Sequence, residues 1–100
     1  ESYQNFHPHL MKDKVIVITG GSRGGMLQEI GKAYILHHAK AVVLMSRNKE
    51  KNEVAAKQVN ELVPKGSNGM CVSEPGDVRK PDDCKRVMQK TVEKFGKVDV

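Results

Sequence analysis

Val15-Ile16-Val17-Ile18-Thr19-Gly20-Gly21-Ser22-Arg23-Gly24-Gly25 is the stretch whose reading decides the fold. Four consecutive β-branched apolar residues fit a strand buried on both faces, as in a parallel sheet. A glycine-rich turn follows at once, and then an amphipathic run with helical spacing. Strand, glycine turn and helix start together make a place for a phosphate. Glycines let the backbone approach the ligand, and the helix N-terminus offers unpaired N–H groups at the positive end of its dipole. A glycine pattern alone is a weak signal, but here it stands in the strand-then-helix context that a dinucleotide site requires.

Outward from that stretch the same alternation repeats. Leu27, Ile30, Gly31, Tyr34 and Ile35 recur at helical spacing, and the small Gly31 lets that helix sit close on the sheet. His37 and His38 close it. Ala41-Val42-Val43-Leu44-Met45 reads as a second buried strand. Asn48 is placed to cap a helix running to about Val63, with Ala55, Val59 and Leu62 inward. Gly69 to Ser73 is a shorter strand. Pro81, with Asp82 and Asp83 behind it, opens a third helix whose stripe is Cys84, Val87, Met88, Thr91, Val92 and Phe95, and Gly96 stops it. Val98-Asp99-Val100 begins a fourth strand.

The order β-α-β-α-β-α-β with short connections predicts an α/β fold. Right-handed crossovers make it the first half of a Rossmann-type doubly wound parallel sheet with strand order 3-2-1-4. Residues 1–12, which show no period, are expected to form an N-terminal arm, and 13–100 the N-terminal part of one nucleotide-binding domain. A fourth strand three residues long leaves an exposed apolar edge. The chain is therefore expected to be the first part of a longer protein.

Bulk properties narrow the function classes. The net charge is +5, with lysines spread along the chain, which suits an anionic ligand and a solvated surface equally. Cys71 and Cys84 match no zinc or redox spacing, so free thiols in a reducing, intracellular compartment are expected. His7 and His9 have no partner ligands nearby, and no metal site is read. No apolar run reaches membrane-spanning length, and the sequence starts without a signal-peptide pattern. Nucleic-acid binding lacks both a recognition motif and an aromatic platform.

In such a fold, ligands sit beyond the C-terminal ends of the strands. Gly20, Gly21, Ser22, Arg23, Gly24 and Gly25 are the candidates for holding a pyrophosphate, with Arg23 as a phosphate partner. Arg47 follows the second strand, where NAD-preferring proteins carry an acidic residue. An arginine there can pair with the 2′-phosphate of NADP. Asn48 lies beside it, and Lys51 is one turn into the helix. Asp77 can accept a hydrogen bond from the adenine amino group, with the Val78 backbone beside the ring. Arg79 is a weaker candidate for an anionic substrate tail. Each has a plainer reading, as a surface cation or, for Asp77, a turn cap; their joint placement at strand ends favours the site.

These landmarks, together with Gly76-Asp77-Val78 and Lys94-Phe95-Gly96-Lys97-Val98-Asp99, resemble the short-chain dehydrogenase/reductase family over residues 12–100. Phe6 to Val15 and the Ser46-Arg47 pair most resemble the 2,4-dienoyl-CoA reductases, the peroxisomal kind especially. The resemblance implies an NADP(H)-dependent enzyme reducing an unsaturated fatty acyl-CoA, a homo-oligomer (dimer or tetramer) as the full-length protein, and a peroxisomal location, with cytoplasm or mitochondrion as alternatives. Two departures stand out. Met26 occupies the place of the family's third glycine. The family's catalytic Ser and Tyr-x-x-x-Lys lie beyond this segment: Tyr3 and Tyr34 are followed four residues later by His7 and His38. No catalytic residue is therefore named in this chain. The alternative reading is a non-catalytic dinucleotide-binding sensor or assembly module with a degenerate glycine loop.

Overall fold

A computed structural model describes residues 12–19 and 26–99 of the chain, the side chains of residues 26–28 excepted. Its elements are β1 (Val15–Thr19), α1 (Met26–Leu36), β2 (Ala41–Met45), α2 (Lys49–Asn60), β3 (Met70–Ser73) and α3 (Pro81–Phe95). The arm expected over residues 1–12 lies outside the described residues except for Lys12, which bridges to Ala39.

The three strands form a parallel sheet in the order β1-β2-β3. Val15 lies opposite Ala41, and Ala41 opposite Met70. β2 is the middle strand and is buried at all five positions, as its uninterrupted apolar run requires. Its side chains alternate between two layers. On one face Ile16, Ile18, Val42, Leu44 and Cys71 pack with Ile35 of α1 and with Ala55, Ala56 and Val59 of α2. On the other, Val15, Ala41, Val43 and Met45 pack with Val87 and Phe95 of α3. Helices on both faces of a parallel sheet make this a Rossmann-type doubly wound fold.

Local chemistry sets the helix ends. Asn48 caps α2, its Oδ1 accepting the Lys51 N–H at 2.9 Å, a contact of about 1 kcal/mol in typical helices. Pro81 stands in the first turn of α3, and Gly96 ends it at φ 85° with its N–H on the Val92 carbonyl at 2.7 Å. α1 stops by the same device with a different residue. His38, at φ 68°, donates to the Ile35 carbonyl and Ala39 to the Tyr34 carbonyl. That pair of bonds is a Schellman motif, with histidine in the position glycine usually fills. Gly31 is where α1 meets α2 and the sheet: a Cβ there would stand 3.3 Å from Val59 Cγ2 and 3.5 Å from Leu44 Cδ2.

The structure departs from the sequence expectations in three places. α2 ends at Asn60, and Leu62 is exposed; Asn52 and Ala56 turn inward with Ala55 and Val59. Asn52, 1 % exposed, donates from Nδ2 to the Leu44 carbonyl at 2.7 Å and to Ser73 Oγ at 2.8 Å, tying α2 to both strands. In α3 the apolar stripe is wider than the face the sheet covers. Val87, Thr91 and Phe95 are buried, while Met88 and Val92 are exposed. Finally, no fourth strand forms among the described residues. The Asp99 N–H reaches the Val15 carbonyl at 2.8 Å, but the Val15 N–H is taken by the Asp99 carboxylate rather than by a strand carbonyl. Residue 100 is outside the described residues.

The outer edge of the sheet is covered by one side chain. Asn60 donates from Nδ2 to the Cys71 carbonyl at 2.8 Å and accepts the Cys71 N–H on Oδ1 at 2.7 Å. Among the described residues no helix is long and apolar enough to cross a membrane.

Candidate functional site

The site is assembled where β2 and β3 end. After Ser73 the chain keeps running beside β2: the Glu74 N–H donates to the Leu44 carbonyl and the Gly76 N–H to the Ser46 carbonyl, both at 2.9 Å. That pairing carries Gly76-Asp77 up alongside Ser46-Arg47. Gly76 fits closely there: a Cβ would stand 2.9 Å from Met45 Cε and 3.0 Å from Arg86 Nη2, so both side-chain ends would have to shift to admit one. Arg86 holds the segment from the other side, donating to the Pro75 carbonyl at 2.6 Å with Glu74 Oε1 at 3.7 Å.

Asp77 is the most constrained group of this edge. Its backbone N–H donates to Asp83 Oδ2 at 2.9 Å, and its carbonyl accepts the Lys80 N–H. Among the described residues, Arg79 is what holds its carboxylate. Oδ1 accepts the Arg79 backbone N–H at 2.9 Å and Nε at 3.1 Å, and Oδ2 accepts Nη2 at 3.0 Å. These bonds hold the Asp77 pKa down at about 2, with the charge of Arg47 adding in the same direction. Val78 follows, 50 % exposed, and its carbonyl accepts the Cys84 thiol at 3.3 Å.

Arg47 and Lys51 are exposed at the end of β2 and in the first turn of α2. Asn48 spends its side-chain oxygen on the helix cap. Arg79, read from sequence as a partner for a substrate tail, has its guanidinium on Asp77. Gly20, Gly21, Ser22, Arg23, Gly24 and Gly25 lie outside the described residues. Their flanks do not: β1 ends at Thr19 and α1 starts at Met26, the strand-and-helix frame a phosphate loop needs.

Two side chains of this edge stand out by burial: Ser46, marked in sequence only as half of the Ser46-Arg47 pair, and Asn52, which no motif marked. Ser46 is 3 % exposed, and its hydroxyl has no hydrogen-bond partner among the described residues; Asn52 Oδ1 is likewise unpartnered. Buried polar atoms without partners are uncommon enough to ask what they receive. Ser46 is buried directly before the exposed Arg47, whose guanidinium is a donor suited to a phosphate. Asp77 supplies an ionised acceptor and Val78 an apolar surface. The residues present thus fit the adenosine-phosphate half of a nicotinamide dinucleotide. A separate cavity of about 340 Å³ opens at the opposite end of the strands, bordered by Lys12, Asp13, Lys65 and Gly69.

Residues 14–100 match the short chain dehydrogenase family. The chain belongs to that family. A peroxisomal 2,4-dienoyl-CoA reductase of Saccharomyces cerevisiae is 35% identical over 95% of this chain and 32% of its own length. Ipsdienol dehydrogenase of Ips pini is 36% identical over 89% of this chain and 30% of its own. A short chain dehydrogenase structure from Bacillus anthracis superposes with a TM-score of 0.69 at 34% identity, covering 89% of this chain and 33% of that one. The chain thus spans about a third of the length of the curated relatives it matches. Its sheet and helices are those of a short-chain dehydrogenase's nucleotide-binding fold.

Proposed function

We propose that the protein is an NADPH-dependent short-chain reductase acting on an unsaturated fatty acyl-CoA, and that this chain carries the adenosine side of its cofactor site. The carrying observation is Arg47, exposed at the end of β2 directly after the buried Ser46, on the edge where the Gly76 N–H pairs with the Ser46 carbonyl and brings Asp77 alongside. An acidic residue in that place favours the ribose hydroxyls of NAD, whereas a guanidinium matches a 2′-phosphate bidentately. The cofactor, when bound, supplies a hydride. This chain's residues bind it and fix its orientation. Arg47, Ser46 and Lys51 would hold the 2′-phosphate, Asp77 and Val78 the adenine, and the 20–25 loop the pyrophosphate.

The acyl-CoA assignment rests on the likeness to dienoyl-CoA reductases from Saccharomyces cerevisiae and Arabidopsis thaliana. Relatives of similar identity carry other substrates in their names, so the substrate is the finer part of the proposal. A peroxisomal location and a homo-oligomeric full-length protein belong to the same reading. Met26, in place of a third glycine, is the feature that favours the second reading, a nucleotide-binding module without catalysis.

The test is a titration of the full-length protein with NADPH and NADH at several salt concentrations, beside Arg47→Asp. NADPH should bind more tightly, and its affinity should fall as salt rises. Loss of a charged hydrogen-bonding partner, about 1.5–3 kcal/mol, should weaken NADPH about 10- to 150-fold in the variant and leave NADH little changed. Turnover of 2,4-dienoyl-CoA with NADPH then tests the substrate. Binding of NADPH without turnover of any enoyl or dienoyl thioester favours the module, and binding of neither nucleotide overturns the site.

A further inference from the structure

The Asp77–Arg79 pair is more elaborate than an acceptor for adenine needs. Two residues apart in sequence, they share three hydrogen bonds, and the Asp77 backbone is tied at both its N–H and its carbonyl. The Asp77 side chain is only 12 % exposed, whereas Arg79 is 72 % exposed, so the clamp is applied from the solvent side. A carboxylate offers about four lone-pair sites. Two on Oδ1 and one on Oδ2 are occupied by Arg79, which leaves one on Oδ2.

We propose that Arg79 is a positioning residue for nucleobase selection: its guanidinium fork and backbone N–H lock the Asp77 carboxylate, so that the one remaining Oδ2 acceptor admits a 6-amino purine and rejects a 6-keto purine. This inference rests on the cofactor site proposed above. The logic is geometric. A 6-keto purine presents an oxygen where adenine presents an N–H donor, and its own donor moves to ring N1. A mobile carboxylate can swing to meet that N1–H; a locked one faces the keto oxygen with no proton between. Selectivity therefore comes from immobility, not from the presence of the carboxylate alone. Arg79 also neutralises Asp77 at an edge where the ligand carries phosphate, which removes a like-charge repulsion. Arginine is needed for this in a way lysine is not, because only the planar fork meets both carboxylate oxygens in a fixed plane.

The experiment compares binding of NADPH with its hypoxanthine analogue, reduced nicotinamide hypoxanthine dinucleotide phosphate, by the full-length protein. Wild type should prefer the adenine form by at least about tenfold, the effect of leaving one buried polar contact mismatched. Arg79→Ala and Arg79→Lys should both narrow that preference to about threefold or less. Arg47→Asp should weaken both nucleotides together and leave their ratio in place. Melting curves of each variant confirm that it is folded, and Arg79→Lys serves as the test if Arg79→Ala is not. An Arg79 variant that keeps the full ratio overturns the inference and leaves the cofactor site intact; a wild type that binds NADPH without discriminating overturns it together with the Asp77–adenine contact, and leaves the Arg47 phosphate site standing. A wild type that binds neither nucleotide overturns both.

Discussion

Asp99 meets Val15 twice: its backbone N–H donates to the Val15 carbonyl at 2.8 Å, and its carboxylate Oδ2 accepts the Val15 N–H at 2.8 Å. Lys97 Nζ stands 3.1 Å from the same Oδ2. One acidic residue thereby holds the segment after α3 to the open side of β1. The Val15 bond, and after it the Lys97 contact, pull the Asp99 carboxyl below its ordinary value. A carboxylate depressed on folding adds stability that is present above its unfolded pKa, near about 4, and is lost as pH falls through the folded value. Asp99→Asn should therefore lower the melting temperature at neutral pH. The gap between variant and wild type should close as the pH is taken below about 4. Melting curves from pH 7 to pH 2 check this; a gap independent of pH would remove the charge from the account.

Asn52 gives a stability prediction of a different kind. Replacing it with Ala strips a donor from Ser73 Oγ and from the Leu44 carbonyl, which keeps its bond from the Glu74 N–H. Buried groups left unpaired cost about 1–3 kcal/mol each. Urea unfolding should show the midpoint falling with an unchanged slope. Because the same bonds set the spacing of β2 and β3 where the site begins, nucleotide affinity should weaken too.

Two glycines separate by what surrounds them. A Cβ on Gly69 would stand 2.5 Å from the Ala39 carbonyl oxygen, a backbone atom that cannot step aside. On Gly76 the obstacles are the ends of Met45 and Arg86, which can rotate. Gly69→Ala should cost the upper part of the ~1–3 kcal/mol range for overpacking, and Gly76→Ala less. Chemical denaturation of the pair ranks them. Gly76→Ala should instead show its effect on nucleotide binding, through the displaced Arg86 and the Pro75 carbonyl it holds.

The two thiols should react unequally. Burial pushes Cys71 up to about 12, so at pH 8 almost none of it is thiolate. Cys84 is half-buried on α3 and meets solvent. Iodoacetamide treatment of the native protein, followed by peptide mass mapping, should label Cys84 first and Cys71 only after unfolding. Equal labelling would mean that α2 and β3 open far more often than the packing between them suggests.

Much of this was legible beforehand, for identifiable reasons. β1 and β2 are runs of apolar residues too short for helices and too continuous for a half-exposed sheet, so only a buried parallel strand fits them. Asn48, Pro81 and Gly96 mark helix ends because their chemistry acts within one turn. What failed to show depends on contacts distant in sequence. Asn52 sits in the polar run Lys49-Glu50-Lys51-Asn52-Glu53, and nothing there signals that Asn52 alone faces inward. Met88 and Val92 belong to a convincing apolar stripe, but the sheet is narrower than the stripe. Arg79 follows Asp77 by two residues, and the sequence does not say whether its charge is spent on its neighbour or offered to a ligand. The 20–25 loop, the most telling stretch in the sequence, lies outside the described residues.

Asn60 makes the two borders of the sheet unequal. Its amide imitates a peptide group, occupying both the donor and the acceptor that Cys71 turns outward from β3. A strand arriving from another molecule finds the middle rung of that border already filled, and pairing cannot zip past it. On the β1 border the corresponding groups of Val15 are met by the polypeptide itself, at Asp99. The two borders thus differ in kind: at Cys71 the β3 border is filled by a side chain alone, and at Val15 the β1 border is met by both the backbone N–H and the carboxylate of Asp99.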